Sequence, residues 1–314
     1  MSENNFIFHN ICKEILGSNF KINELEGGIN NPTYLISNNK NKYVLKKIRS
    51  EASPNFDRYI AEKEFLIYST KINTRKTPRI IKYYDNFRVL ILEFIHSDEI
   101  IYTDIINKKY IHECIYFIKN INLNKELGRK LISQSASESF LDLYSHIHNV
   151  NTRINNLSVD HLPIQFRQRS TILLKQLKLE WSIAKDNIIK MIENGKNINT
   201  INQNDLIISP GDFGFHNMLI NSEGLFFIDF EFSGWDDPGK MFCDFILQPK
   251  FPIPTFFHGV IRESLLPKDY EEKYKNRTNI LYNILEIKWK IIKHSYLNKN
   301  KYLINNFNKN NLIQ

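Results

Sequence analysis

Asp212, Asn217 and Asp229 are spaced as Asp, four residues, Asn, eleven residues, Asp. They sit within Ser-Pro-Gly-Asp-Phe-Gly-Phe-His-Asn and the following Phe-Ile-Asp-Phe-Glu. Those residue types suit phosphoryl transfer to a hydroxyl. The phosphoryl group carries spread negative charge and arrives on ATP bound to Mg2+, a hard cation that takes oxygen ligands in a near-octahedral shell. Asp229 offers a carboxylate and Asn217 an amide oxygen. Asp212 is then free to orient the acceptor hydroxyl and take its proton late. A carboxylate is a weak base, so that role is mostly positioning.

The segments around these residues are built to position them. Asn217-Met218-Leu219-Ile220 and Leu225-Phe226-Phe227-Ile228-Asp229 are short apolar runs, and Asn221-Ser222-Glu223-Gly224 between them is a turn signal. A hairpin is expected, with Asn217 and Asp229 together at its open end. The plainer reading makes the three polar residues a helix cap, a turn residue and a strand end.

Upstream, apolar spacing predicts a helix over residues 5–16 with Gly17 as its C-cap. Strands are expected over Phe20–Leu25, Thr33–Ser37 and Lys42–Ile48, a helix over Asn55–Thr70, and strands over Arg79–Tyr84 and Arg88–Phe94. Beyond Ile95 the pattern changes to long helices over Thr103–Asn120, Glu138–Leu157, Pro163–Ile192 and Asn279–Leu297. The expected architecture is α+β and bilobal. Residues 1–95 would form a small antiparallel N-lobe with one helix. Residues 96–314 would form a larger, mainly α C-lobe, with the chemistry at the junction.

With these pieces in place the chain resembles the aminoglycoside phosphotransferase and choline kinase family, within the protein-kinase-like fold. The resemblance runs from about residue 18 to 297 and rests on several motifs. They are Gly27-Gly28-Ile29-Asn30-Asn31, Tyr43-Val44-Leu45-Lys46, Ala61-Glu62-Lys63-Glu64-Phe65-Leu66, Leu92-Glu93-Phe94-Ile95, Gly211-Asp212 to Asn217, and Ile228-Asp229-Phe230-Glu231. Gly234-Trp235-Asp236-Asp237-Pro238 is similar to the stretch that such enzymes carry after the metal-binding Asp. One departure is Pro210-Gly211-Asp212 in place of the usual His-Gly-Asp; a proline stiffens a loop by fixing φ. A second is Asp-Phe-Glu after the metal strand, an ending also met in the choline kinase branch.

The resemblance implies a role for each position. Lys46 would hold the α/β-phosphates, and Lys47 would be its solvent-exposed twin on the other strand face. Glu62 would pair with Lys46, with Glu64 as the competing partner. Gly28, Asn30 and Asn31 would cover the phosphates, although the same residues make an ordinary hairpin turn. Glu93 and Ile95 would be the hinge that reads adenine, an assignment by position alone. Glu231, Asp236 and Trp235 are candidates for the acceptor pocket; in the plainer reading the acids cap or brace local structure. Phe251, Phe256, Phe257 and Trp289 are further aromatic candidates that are more often packing residues. His216 is expected to brace the loop, and Asp244 to brace the C-lobe.

The composition bounds the alternatives. A chain of 314 residues with 42% hydrophobic content buries a full core. The net charge of +8 comes from lysines spread along the whole chain without a dense basic block, so no nucleic-acid partner is expected. No apolar run is long enough to span a membrane. The first residues lack signal-peptide character, and the three scattered cysteines suit a reducing compartment, so a cytoplasmic location is expected. Partners are a nucleotide and a small-molecule acceptor. The oligomeric state is not legible. Two other classes stay open: a nucleotide-binding pseudoenzyme acting as a regulatory module, which Pro210 keeps alive, and a protein kinase, which the lack of an Ala-Pro-Glu segment weakens.

Overall fold

The structure is a computed structural model. It describes residues 3–25, 31–49, 56–98, 100–160, 162, 164–195 and 198–299. In chain order these form α1 (Glu3–Leu16), β1 (Lys21–Glu24), β2 (Thr33–Ser37), β3 (Lys42–Lys47), α2 (Arg58–Lys71), β4 (Ile80–Tyr84) and β5 (Val89–Glu93). Then come α3 (Tyr102–Ile105), α4 (Lys108–Ile121), α5 (Lys125–Leu131), α6 (Leu143–Asn155), α7 (Ile164–Asn194), β6 (Ile207–Ser209), β7 (Met218–Asn221) and β8 (Gly224–Phe227). The last are β9 (Gly234–Asp236), α8 (Pro238–Ile246), α9 (His258–Leu265), α10 (Lys268–Lys273) and α11 (Arg277–Lys299). The chain divides into two compact units, Met1–Ser137 with Ile208–Trp235, and Glu138–Ile207 with Asp236–Gln314.

The first unit holds a five-stranded antiparallel sheet in the order β1-β2-β3-β5-β4. Its strands alternate. Ile36, Leu45, Val89 and Ile91 point to one face and bury against Phe8, Ile11, Cys12 and Leu16 of α1. Those α1 residues recur at helical spacing, and Gly17, at φ +83°, ends the helix by donating to the Lys13 carbonyl at 3.0 Å. The opposite face of β3 carries Val44 and Lys46, which pair in register with Leu92 and Leu90 of β5. A one-residue slip would send Lys46 into the α1 core, so the register that buries Leu45 also aims Lys46.

Helix α2 begins where Asp57 accepts from the amides of Tyr59 (2.8 Å) and Ile60 (3.1 Å). Its buried face includes Glu62 beside Phe65 and Leu66. Phe65 stacks on Phe230 with ring centroids 4.3 Å apart. In the same unit β7 and β8 form the expected hairpin, from Met218 opposite Phe227 to Asn221 opposite Gly224. Two helical stretches depart from the apolar spacing. The stretch from Thr103 breaks because Asn107 accepts from the Lys109 amide at 3.0 Å and starts α4 afresh. The stretch from Glu138 becomes helical only at α6, where Asp142 accepts from the Ser145 amide at 2.8 Å and Glu138 itself has φ +55°.

In the second unit α6, α7 and α8 all pack on α11. Its interior is unusually ionic. Lys240 Nζ lies 2.9 Å from both Asp236 and Asp244. Lys288 lies 3.3 Å from Asp244 and 3.5 Å from Glu138. Burial alone would raise the Asp244 pKa, but Lys240 and Lys288 outweigh it and hold it down at about 2. Asp237 and Arg277, both fully buried, meet at 2.7 Å.

His146 lies buried in this cationic setting, its ring edge-on to Phe140. Burial first, then Lys240, Arg277 and Lys288, push its pKa down to about 3, against the pull of Asp237. The folded state therefore keeps His146 neutral, while the unfolded chain takes up a proton near its ordinary pKa of about 6.5. Above that pH the group contributes nothing. As pH falls from 6.5 toward 3, stability is lost at up to about 1.4 kcal/mol per pH unit. His146→Leu is expected to flatten the slope of unfolding free energy against pH between neutrality and pH 5, relative to wild type. Denaturant melts at several pH values check this; equal slopes in the two proteins refute it.

Candidate active site

The catalytic-loop segment begins where β6 ends at Ser209. Gly211 has φ +84°, and a Cβ there would stand 2.3 Å from the Phe232 carbonyl oxygen, so only glycine fits. Its amide donates to Ser209 Oγ at 3.1 Å. The next residue is Asp212, whose Oδ2 lies 3.0 Å from His216 Nε2. The Asp212 carbonyl accepts from Asn217 Nδ2 at 2.9 Å. With its amide nitrogen spent in this way, Asn217 keeps its side-chain oxygen as the atom for a cation.

The hairpin brings the second pair together. The Asn217 carbonyl accepts from the Ile228 amide at 3.0 Å, one pair beyond the end of the β7–β8 ladder. Asp229 is thus the residue next to the Asn217–Ile228 pair at the open end. Asp229 is not the last residue of the strand. It lies in coil two residues beyond the end of β8 and takes φ +65°, a left-handed conformation for which Asp is among the better-suited residues. Its carboxylate is 39% exposed and its Oδ1 lies 2.6 Å from Lys46 Nζ.

Lys46 is the meeting point. Its Nζ also lies 2.6 Å from Glu62 Oε2, and the side chains of Lys46 and Glu62 are 9% and 1% exposed. Burial opposes its charge, but the carboxylates of Asp229, Glu62 and Glu231 together raise its pKa above the ordinary lysine value. Burial, with Asp229 and Glu231 adding to it, pushes Glu62 up against the pull of Lys46. The open choice between Glu62 and Glu64 is thereby settled geometrically: Glu64 accepts from the Ser133 amide and hydroxyl at 2.8 Å. Lys47 points to the other face as expected, yet it is half-buried, donating its ammonium to the Phe87 carbonyl rather than standing in solvent.

Ligand atoms of Glu62, Asp229 and Glu231 all lie within 4.8 Å of one another. Three carboxylates around one ammonium leave negative charge in excess, partly offset by Arg58, whose NH1 lies 3.2 Å from Glu231. Glu231 is 2% exposed and also accepts from Asn31 Nδ2, while Asn31 Oδ1 accepts from the Arg49 amide at 2.9 Å. Spacing alone did not single out this Asn31–Glu231–Arg58 cluster, because its partners are 200 and 173 residues apart. Gly28 and Asn30 lie outside the described residues. Glu93 closes β5, with its carboxylate held by Arg79 through two 3.1 Å bonds, and Ile95 follows the strand as coil.

The three acceptor-pocket candidates are all engaged by partners within the chain. Glu231 is spent on Asn31 and Arg58. Asp236 is wholly buried against Lys240, and its pKa is raised chiefly by burial. Trp235 is buried with its indole N–H donating to the Ile132 carbonyl at 3.1 Å. These groups are consumed by internal partners because a buried charge or N–H must be satisfied. The cap of α8 is Asp237, which accepts from the Gly239 amide at 2.8 Å. In the second unit the Trp289 indole donates to Asp244 at 2.9 Å, and Phe257 is buried.

No protein-family model matches the sequence, and no curated protein matches it. Solved structures do. An ethanolamine kinase from Plasmodium vivax superposes with a TM-score of 0.59 at 15% identity, over 96% of this chain and 84% of that one. Spectinomycin phosphotransferase APH(9)-Ia, in complex with ADP and spectinomycin, gives 0.58 at 12% identity over 95% and 91%. The streptomycin–ATP–APH(2'')-IIa ternary complex gives 0.56 at 17% identity over 92% and 93%. At such identities the likeness speaks to fold: the chain has the α+β, protein-kinase-like fold that ethanolamine and choline kinases share with aminoglycoside phosphotransferases.

Proposed function

We propose that this chain is an ATP- and Mg2+-dependent phosphotransferase acting on a hydroxyl of a small molecule, a sugar, amino sugar or amino alcohol. The observation that carries the reading is the Lys46 ammonium held at 2.6 Å from both Glu62 and Asp229. Beside Asp229, the Ile228 amide donates to the Asn217 carbonyl at 3.0 Å, and Asn217 Nδ2 donates to the Asp212 carbonyl at 2.9 Å. All five residues belong to the first compact unit. Neighbours solved with ATP or ADP beside an aminoglycoside or spectinomycin support the same class of partners here.

The residues suit the cation. Asp229 is the more open carboxylate of the Lys46 pair, and the Asn217 oxygen is turned free; both are hard oxygen donors. Mg2+ bound with the nucleotide would neutralise charge on the transferring phosphoryl group. Glu62 holds Lys46 extended so that its ammonium meets phosphate oxygens. His216 steadies Asp212 Oδ2, and the Asp212 carboxylate would orient the acceptor hydroxyl and take its proton as the bond to phosphorus forms and ADP leaves. The role of Asp212 is positioning more than basicity.

Asp212→Asn tests this. It is expected to keep nucleotide binding and to lower kcat by roughly 10²–10⁴-fold, read as phosphate transfer from ATP across matched panels of sugars, amino sugars, amino alcohols and protein substrates. Unchanged turnover refutes the catalytic-loop assignment. Nucleotide binding by wild type without transfer to any of them leaves a binding module, and transfer to protein alone makes the chain a protein kinase.

A further inference from the structure

Helix α7 is apolar on two opposite faces. Leu174, Leu177, Trp181, Ile188 and Ile192 recur at steps of three, four, seven and four residues and are buried, on the side that packs against α6 and α11. Ile172, Leu179 and Ile183 recur at steps of seven and four and are 51%, 63% and 57% exposed. At 100° per residue these three fall within about 40° of arc, opposite the buried face. An isolated surface leucine needs no explanation, but an aligned apolar stripe along a helix does.

The charges beside the stripe indicate what covers it. Lys175 and Asp186, both exposed, lie on the same flank. Two copies of a helix packed antiparallel bring that flank of one against the same flank of the other. A two-fold axis passing between Leu179 and Ile183 sets Leu179 on Ile183 of the second copy and Lys175 beside Asp186 of the second copy, and each contact occurs twice. Ile172 then meets the aliphatic stem of Lys190. Glu180 sits outside this arrangement, held by Lys290 of α11 at 3.2 Å. A membrane surface fits less well, because the flank alternates in sign instead of presenting only cations.

We propose that the outer face of α7 is a two-fold interface through which two copies of this chain pair antiparallel. This goes beyond the phosphotransferase reading and does not depend on it. The test is sedimentation of the full chain over a wide concentration range, with thermal melts to verify folding of each variant. Wild type is expected to be dimeric and Ile183→Glu monomeric with an unchanged melt. Lys175→Glu and Asp186→Lys are each expected to weaken the dimer about tenfold. The two together are expected to restore it, which mere loss of folding would not do. A wild-type monomer at all concentrations, a dimer indifferent to Ile183→Glu, or single charge reversals without effect each overturn the proposal. So does a monomer whose stripe instead binds anionic phospholipid vesicles.

Discussion

Asp229→Ala is expected to reduce phosphate transfer by at least about 10³-fold, the scale at which removing one preorganised charge-stabilising group is felt. The protein is expected to stay folded. Asp229 is partly exposed, and its loss leaves Lys46 in a one-to-one pair with Glu62 at 2.6 Å, so no buried charge is stranded. It also removes the Asp229 charge that adds to burial in pushing Glu62 up. The second readout is thermal stabilisation by ATP with and without magnesium. Wild type should gain more from the pair than from nucleotide alone, and the variant should lose that increment. An Asp229→Ala protein with unaltered magnesium dependence would place the metal elsewhere, whatever its turnover.

Arg277→Met should strike stability where Asp229→Ala strikes chemistry. Arg277 is completely buried and spends its guanidinium on four acceptors in the second unit. Nε donates to Asp237 at 2.7 Å, NH1 to the Ile198 and Asn199 carbonyls at 2.6 and 2.7 Å, and NH2 to the Leu141 carbonyl at 3.2 Å. Methionine fills part of the volume but leaves three carbonyls and a buried carboxylate without that donor. Asp237 would retain Tyr270 at 2.7 Å and the Gly239 amide. Breaking one side of a buried pair costs about 3–5 kcal/mol, a large share of the stability of an ordinary domain, about 5–15 kcal/mol. Denaturant unfolding should show that loss. A cost below about 1 kcal/mol, the scale of an exposed ion pair, would mean that water reaches the site in solution. Asp237→Leu with Arg277→Met should recover part of the loss, since a well-packed apolar replacement of both partners avoids the stranded charge.

Much of the local structure was legible because it is written in periodicity. Thr33–Ser37 alternates and is β2; the turn at Asn221–Gly224 closes the β7–β8 ladder; the helical spacing from Pro163 onward becomes α7. Helix starts were less legible. Asn107 and Asp142 accept amide hydrogens, and such caps override an apolar pattern that continues through them. Least legible were the partners of buried charges. The acids after Asp229 read equally well as an acceptor-facing cluster or as internal braces. Nothing in Glu231 or Asp236 announces that one finds Arg58, 173 residues away, and the other Lys240, four residues on. Hydrophobic pattern reports which face is buried; it does not report which cation will be waiting there.

The order in which the chain is made bears on the two compact units. Residues 138–207 belong to the second unit but emerge before Ile208–Trp235, which the first unit needs. The second unit is likewise cut in two by that insertion. Lys46 waits 183 residues for Asp229. At a synthesis rate of about 5–20 residues per second, Lys46 of β3 and Glu62 of α2 are out for seconds while the second carboxylate is still untranslated. Neither unit can be obtained by truncation at a single point. Ribosome stalling before residue 208 should leave a nascent chain that chaperones hold, and release past residue 235 should be the step at which it becomes protease-resistant.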